Sequence, residues 1–513
     1  MITLSLVSHT NAGKTTLART LLGRDVGEVR DAPHVTTEAS AYALIEIAGP
    51  PRSPQQQGRG SLPPEGAQSS ARGGPSPLMA DGDALVLWDT PGFGDSARLA
   101  KRLALQGNPI GWFLTQIWDR FRDRAFFLTQ RAVRNVRDEA DVVLYLVSAA
   151  EDPADAGYLG PELGILAWTK KPVLVLLNQT GPSQADDDVA RWRRALVAYG
   201  QVRGVVAFDA FARCWVQELV LFDHIGDVVP VEKKPEFDRL AASWQSKRHA
   251  QFETSMATLA RAVAAAACAR VVVPRTAMLR KIGTALGLGD DPAKATETSA
   301  AQALANDASA RMREAMDALI AAHGLDGRAA ADVETLLGHD IAREGPVDEG
   351  KAAAMGGVLS GAMTGLAADL AAGGLTFGAG MLTGAVLGAL GGAGIARAFN
   401  VARGQTDETI RFDDAFIERL VKNAMLRYLA VAHYGRGRGA FVESEAPAIW
   451  RGVIDAAMAE RRVEFDGMLA MRTPDCDAQA LATSMTGYMS DLMLVVLAEL
   501  YPGALAQTPR GEG

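Results

Sequence analysis

Over the first two-fifths of the chain, apolar residues gather into short runs separated by longer mixed stretches. Ile2 to Val7, Tyr42 to Ile47, Ala84 to Trp88, Val142 to Val147, Val173 to Leu177 and Val205 to Phe208 each read as a strand. Helical stretches lie between them, and this alternation predicts an α/β fold around a mostly parallel sheet. Between the second and third runs, residues 49–83 are dominated by Pro, Gly, Ser and Gln. That composition buries too little apolar surface to offset the entropy of ordering, so a disordered insertion at a loop tip is expected there.

Past Pro230 the strand pattern fades. Helical spacing takes over in Glu236 to Val271, Thr296 to His323, Arg411 to His433, Pro447 to Met471 and Ala478 to Leu500. A chain of 513 residues is too long for one ordinary core. The expected division is therefore an α/β domain over 1–230 and an almost entirely helical region over 231–513. Within the latter, residues 352–396 carry one charge, Asp369, and place glycine at every fourth position: Gly357, Gly361, Gly365, then Gly380, Gly384, Gly388 and Gly392. Ala352 to Ala368 and Leu375 to Ala396 each approach the roughly 20 residues that span a bilayer. Their small residues would let the two helices meet closely as a hairpin. Lys351, Arg397 and Arg403 would hold both ends on the cytoplasmic side of an inner membrane. A soluble, close-packed hairpin accounts for the same spacing, because Ala and Gly supply little apolar area and Asp369 falls near the far turn. Both readings stay open.

Hydrophobic residues at 48% and charged residues at 22% exclude global disorder. The net charge of -8 provides no overall basic field, so nucleic acid is an unfavoured partner. Cys214, Cys268 and Cys476 are far apart and form no CxxC pair, which predicts buried thiols in a reducing compartment. Met1 to Val7 lacks the basic start and long apolar core of a secretory signal and reads as the first strand. A cytoplasmic location follows, with or without attachment to the membrane face.

The first strand runs into Ser8-His9-Thr10-Asn11-Ala12-Gly13-Lys14-Thr15-Thr16, then a helix start at Leu17. The pattern is GxxxxGK(S/T), with Ser8 replacing the first glycine. Successive backbone N–H groups in such a turn curl around phosphates, and the helix N-terminus faces them. Asn11, Ala12, Gly13, Lys14, Thr15 and Thr16 would form the cup, Lys14 would neutralise the β- and γ-phosphates, and the Thr15 hydroxyl would reach Mg²⁺. The third strand ends in Asp89-Thr90-Pro91-Gly92, where Asp89 would hold a water of the Mg²⁺ shell and Gly92 would turn its N–H toward the γ-phosphate. Between the two motifs lie Thr36 and Thr37, either of which could ligate Mg²⁺ while the γ-phosphate is present and release it after hydrolysis. His9 and Cys214, like the Gly435 to Gly439 turn, read as loop or packing features.

Asn11 within xxxNxGKT, the Thr36–Thr37 pair and DTPG followed by a hydrophobic residue resemble the TrmE and Era type of P-loop GTPase, of the translation-factor class. The likeness is specific over residues 1–215. The chain as a whole resembles a bacterial group in which such a domain precedes a helical domain of unknown function. The resemblance implies a GTP-binding and GTP-hydrolysing switch that uses GTP, GDP and Mg²⁺ and couples to a protein effector or a second copy of the chain. In the broader family some members use the P-loop asparagine to bind K⁺ in place of an arginine finger, and Asn11 stands at that position. Phe93 follows DTPG where Ras-like enzymes have a water-orienting glutamine, so intrinsic turnover is expected to be slow. Base recognition departs from the NKxD pattern. Val173 to Asn178, then Gln179, Thr180 and Gly181, provide the strand and the asparagine but no carboxylate. The lost pair of charge-assisted bonds corresponds to about 2 to 4 kcal/mol of discrimination. Asp186, Asp187 and Asp188 are near enough to substitute, although a solvated helix start suits them as well. Asp209-Ala210-Phe211 sits where a backbone loop would touch the base, with Ala210 nearest. The stripe of Ile110, Phe113, Leu114, Ile117, Trp118 and Phe121 is a core face or a lever toward the helical region. Two other functions remain: a nucleotide-binding module with negligible turnover, and an Era-like ribosome or RNA assembly factor.

Overall fold

The structure is a computed structural model that describes residues 1–9, 13–22, 40–47, 82–90, 92–93, 95–104, 123–178, 185–208, 214–273, 292–325, 395–398, 408–434, 447–502 and 504–505. It divides into two compact units, one built mainly from Met1–Arg248 and the other mainly from His249–His433 and the C-terminal residues.

The first unit is a six-stranded sheet in the order β2-β3-β1-β4-β5-β6. Its strands are β1 (Ile2–Ser8), β2 (Ser40–Ile47), β3 (Asp83–Asp89), β4 (Val142–Ser148), β5 (Val173–Asn178) and β6 (Val202–Ala207). All neighbours pair in parallel except β2, which lies antiparallel at the edge beside β3. All seven residues of β1 are buried, because this central strand is covered on both faces, which is why it reads as a nearly unbroken apolar run. Ile2, Leu4 and Leu6 point into one core with Leu17 and Leu21 of α1 (Lys14–Leu22). Leu221 and Ile225 of α6 (Trp215–Val228) complete that layer. Val7 points the other way, toward α2 (Ser96–Ala104), α3 (Arg124–Glu139), α4 (Leu159–Thr169) and α5 (Ala185–Leu196). The chain leaves β1 toward β2 and β3 on one side and later crosses to β4 on the other. The C-terminal end of β1 is thus a topological switch point, where α/β sheets open a crevice for ligands.

Helix α7 (Lys234–Cys268) begins on this unit, placing Phe237, Leu240 and Trp244 in the same core as Ile2. Trp244 donates its indole N–H to the buried Glu218 at 2.7 Å, and Arg248 pairs with the same carboxylate at 2.9 Å.

The second unit is mainly helical, with α8 (Pro292–Ala322), α9 (Asp414–Ala432), α10 (Ala448–Glu460), α11 (Arg462–Ala470) and α12 (Ala478–Leu500). The helical expectation holds for most of this unit, and one small sheet adds to it. Strands β7 (Arg270–Val273), β8 (Ile395–Ala398) and β9 (Glu408–Phe412) form an antiparallel sheet in the order β7-β9-β8. Ile395 and Ala396, read as the end of a helix, therefore lie in a strand, as do Val271 and Arg411. Four residues are too few to express a period, so tertiary pairing decides their conformation. The glycine-spaced residues 352–394 lie outside the described residues, as do 48–81 and the stripe at 110–121. Among the described helices, α12 alone is long and apolar enough to cross a membrane, and over half of that stretch is buried within the unit.

The cysteine expectation is also corrected. Cys214 is a buried free thiol, but Cys268 and Cys476 are joined in a disulfide with Cα atoms 5.5 Å apart. Their 208-residue separation hides the pairing from any spacing rule. The end of α7 is tied to the same loop by Arg472, whose Nε donates to the Ala267 carbonyl at 2.9 Å and whose Nη2 donates to that of Phe412 at 2.6 Å.

Candidate functional site

The turn after β1 enters α1 through Gly13, whose φ of +92° lies in the left-handed region that favours glycine. A Cβ there would also stand 2.9 Å from Asn178 Nδ2, so both backbone conformation and space demand glycine. The bond from Leu17 N–H to the Gly13 carbonyl, 2.9 Å, starts the helix, and its first turn carries no acidic residue to oppose an anion.

Lys14 is only 8% exposed and donates to Ser8 Oγ at 3.1 Å. Serine in place of the usual first glycine thus provides the ammonium with a resting partner. Burial pushes the Lys14 pKa down, while Asp89 and Glu162 act in the opposite direction. Asp89 ends β3 and is 2% exposed, because β1 and β3 pair in register with Leu6 opposite Asp89. The Thr15 hydroxyl donates to Asp89 Oδ2 at 2.9 Å. The other oxygen, Oδ1, is buried without a hydrogen-bond partner among the described residues. Burial pushes the Asp89 pKa up, against the pull of Lys14 and Thr15. A buried, half-satisfied carboxylate next to a threonine hydroxyl and an ammonium fits a Mg²⁺–phosphate ligand, which would supply the missing partner.

Beyond Asp89, Thr90 donates both its N–H and its hydroxyl to the Leu6 carbonyl, at 3.3 and 2.6 Å, and Phe93 N–H reaches the Ser8 carbonyl at 3.4 Å. These bonds hold the segment after β3 against the C-terminal end of β1, and Gly92 within that segment is half-buried. The Phe93 ring is buried in the core with Leu99 and Leu103 of α2. Asn178, fully buried at the end of β5, accepts the Ala149 N–H on its carbonyl at 2.8 Å and packs its side chain on Gly13.

The structure therefore brings Gly13, Lys14, Thr15, Asp89, Gly92 and Asn178 to one end of the sheet, with Thr16 buried in the first turn of α1. Asn11, Ala12, Thr36, Thr37, Gln179, Gly181, Ala210 and Phe211 lie outside the described residues. Of the carboxylates considered as substitutes in base recognition, Asp188 is buried and paired with Arg191 at 2.9 Å. That arginine also donates to the Ala149 carbonyl at 2.9 Å, so Asp188 is committed to anchoring α5.

Sequence reasoning missed one group at this end. Glu162 is completely buried in α4 and bonds His9 and Tyr145. Its only visible signal is an acid in the first turn of a helix, where acids are common.

This fold and turn define a P-loop GTPase domain. Residues 3–179 match a family model described as 50S ribosome-binding GTPase. Residues 194–471, more than half of the chain, match Domain of unknown function (DUF3482), and the chain belongs to that family. Among solved structures, Aquifex aeolicus Era bound to GDP and AlF₄⁻ is 17% identical, covering 44% of this chain and 56% of that one, with a TM-score of 0.27. Era in complex with MgGDPNP and nucleotides 1506–1542 of 16S ribosomal RNA is also 17% identical at the same coverage, with a TM-score of 0.26. A variant of SsGBP is 16% identical, covering 45% of this chain and 57% of that one, with a TM-score of 0.23. The chain thus spans little more than half the length of the solved structures it matches. No curated protein matches it.

Proposed function

We propose that the chain is a GTP-dependent molecular switch whose nucleotide state, set by slow hydrolysis, is passed to its helical region. The observation that carries this reading is the cluster of buried Lys14 and Asp89 with half-buried Thr15, whose Oγ1 lies 2.9 Å from a carboxylate whose second oxygen has no hydrogen-bond partner among the described residues. Lys14 would neutralise the β- and γ-phosphates, and the amides of the turn would hold them. Thr15, with Thr36 or Thr37, would ligate Mg²⁺, and Asp89 would orient a water of its shell; bound there, the ion offsets charge building on the phosphates. Gly92 would donate its N–H to the γ-phosphate, Asn178 and Gln179 would support the base, and Ala210 would touch it through its backbone. GTP over ATP rests on the family match rather than on a carboxylate in this chain.

Phe93 supports slow turnover, since a phenyl ring buried in the core cannot orient a water molecule. Asn11 is the residue through which K⁺ would supply the missing charge. Single-turnover hydrolysis of bound GTP tests both points. Turnover should be slow in Na⁺ and at least about tenfold faster in K⁺, the order of gain expected from one added charge at the phosphates. Equal rates in the two salts would remove the potassium role, and no product in either would leave a nucleotide-binding module only.

The helical region is the proposed effector arm, contacting a protein partner, a second copy of the chain or, through residues 352–396, the cytoplasmic face of the inner membrane. A second reading, a ribosome or RNA assembly factor, is favoured by the description of the matched GTPase family. The net charge of -8 weighs against it, and salt-dependent retention on ribosomal RNA would distinguish it.

A further inference from the structure

The second unit holds a cysteine pair that the nucleotide chemistry does not use. Cys268 ends α7, Cys476 lies in the loop between α11 and α12, and the bond between them spans 208 residues of sequence. Both cysteines are half-buried, and Cys476 follows the exposed Thr473, Pro474 and Asp475, so a small thiol can reach the bond. Arginines hold the two ends together independently of the sulfurs. Arg472, whose side chain is completely buried, donates to the carbonyls of Phe412 and of Ala267, the residue before Cys268, and pairs with Asp414. Arg270, just past Cys268 on β7, donates its Nη2 to the carbonyls of Arg472, at 2.7 Å, and of Thr473. Arg411, its cross-strand neighbour on β9, adds a bond to the Arg472 carbonyl at 3.2 Å. The Thr473 carbonyl also accepts the Cys476 N–H at 3.1 Å, so the Arg270 guanidinium and the Cys476 backbone meet on one oxygen.

We propose that Cys268 and Cys476 form a reversible thiol–disulfide exchange site, opened by a dithiol reductant and closed again by a disulfide oxidant while the fold stays intact. A purely structural bridge holds its ends by the bond itself, and opening it lets the loop go. Here the guanidinium hydrogen bonds keep the loop against the end of α7 with the bond open, so the two thiols stay within reach of each other. In the opening step a thiolate of the reductant attacks one sulfur, the S–S bond breaks, and its electron pair leaves on the other sulfur. The second thiolate of the reductant resolves the mixed disulfide. The reductant ends as a disulfide, and its two protons end on Cys268 and Cys476. Oxidised glutathione closes the pair by the reverse steps and leaves as two thiols.

The arginine clamp is itself unfavourable to build, which is why its presence is informative. Burial and the neighbouring Arg411 push the Arg270 pKa down, against the pull of Asp475. Burial, Arg411 and Arg270 push that of Arg472 down to about 10, against Asp414 and Asp413. The fold thus crowds partly desolvated cations together in order to fix the loop, and a loop already fixed by a permanent covalent bond would not require them. Cys214, in the first unit, is the contrast. It is completely buried, and burial pushes its thiol up to about 12, so it is inert to exchange.

The test is alkylation of the purified full chain without denaturant, with mass spectrometry locating the labels and far-ultraviolet circular dichroism following the helices. After equilibration with oxidised glutathione the chain should take up no label. After dithiothreitol it should be labelled at Cys268 and Cys476 but not at Cys214, with the helical signal unchanged, and return to oxidised glutathione should close the pair again. Arg270→Ala removes the bonds to Arg472 and Thr473 and should slow closure about tenfold, the factor expected from losing charge-assisted hydrogen bonds that hold the loop. A bond that opens only in denaturant, or whose opening abolishes the helical signal, would overturn the proposal. So would free thiols at both positions that persist in oxidised glutathione, or closure of Arg270→Ala as fast as wild type. If that variant fails to fold, the opening and closing of wild type decide alone. Each readout is taken without nucleotide, so none depends on the GTPase reading.

Discussion

Replacing Lys14 with alanine is expected to weaken GTP and GDP binding by about a hundredfold, close to 3 kcal/mol, because it removes the charge-assisted bonds to two phosphates. The empty protein should not lose stability in proportion. Burial pushes the Lys14 pKa down, which means that the fold disfavours the charged ammonium when no phosphate is present. Its hydrogen bond to Ser8 is a modest return for that desolvation. The unfolding temperature without ligand should therefore stay the same or rise, while the increase that GDP confers on wild type disappears. Differential scanning measurements with and without nucleotide separate the two effects. A variant that is strongly destabilised without nucleotide would assign Lys14 a structural role instead.

The second large effect is expected at Asp89. Converting it to asparagine preserves the volume and an acceptor for the Thr15 hydroxyl but removes the charge that would orient a water on Mg²⁺. Support of this kind typically accounts for about ten- to a hundredfold in metal affinity or activity, so the Mg²⁺ dependence of GTP binding and single-turnover rate should weaken by that factor. The sign for stability is again opposite to that for function. Burial raises the Asp89 pKa, so the ionised carboxylate is disfavoured in the empty fold, and Asp89→Asn should not lower the unfolding temperature of the unliganded protein. Both residues share one logic. On this account each costs the empty domain something that a bound metal–phosphate group would return, as expected of a site built for a ligand rather than for packing.

The site was legible where a motif coincides with a strand end. Asp89 and Thr15 are 74 residues apart, yet each follows an apolar run, and parallel pairing of β1 with β3 brings the two ends together. Gly13 was legible because its pattern demands close backbone approach, and its positive φ meets that demand. What stayed hidden depends on tertiary packing alone. Glu162 looks like any acid near a helix start, and His9 like any loop histidine, until α4 packs beside the turn after β1. The disulfide between Cys268 and Cys476 was invisible for the same reason, since the spacing of two cysteines carries no information about a loop that folds back. Strands β7 and β8 escaped because four residues cannot show a period, and Ile395 to Ala398, IARA, has a composition that suits a helix equally well. Helix α12 was readable by length, but its apolar residues serve the core of the second unit.

Equilibrium titration of the purified full chain with GTP and with ATP, each with Mg²⁺, tests the central claim most directly. Micromolar or tighter binding of GTP, at least about tenfold preferred over ATP and dependent on Mg²⁺, is the result this account predicts. Saturable binding of neither nucleotide, at concentrations up to about a millimolar, would contradict it.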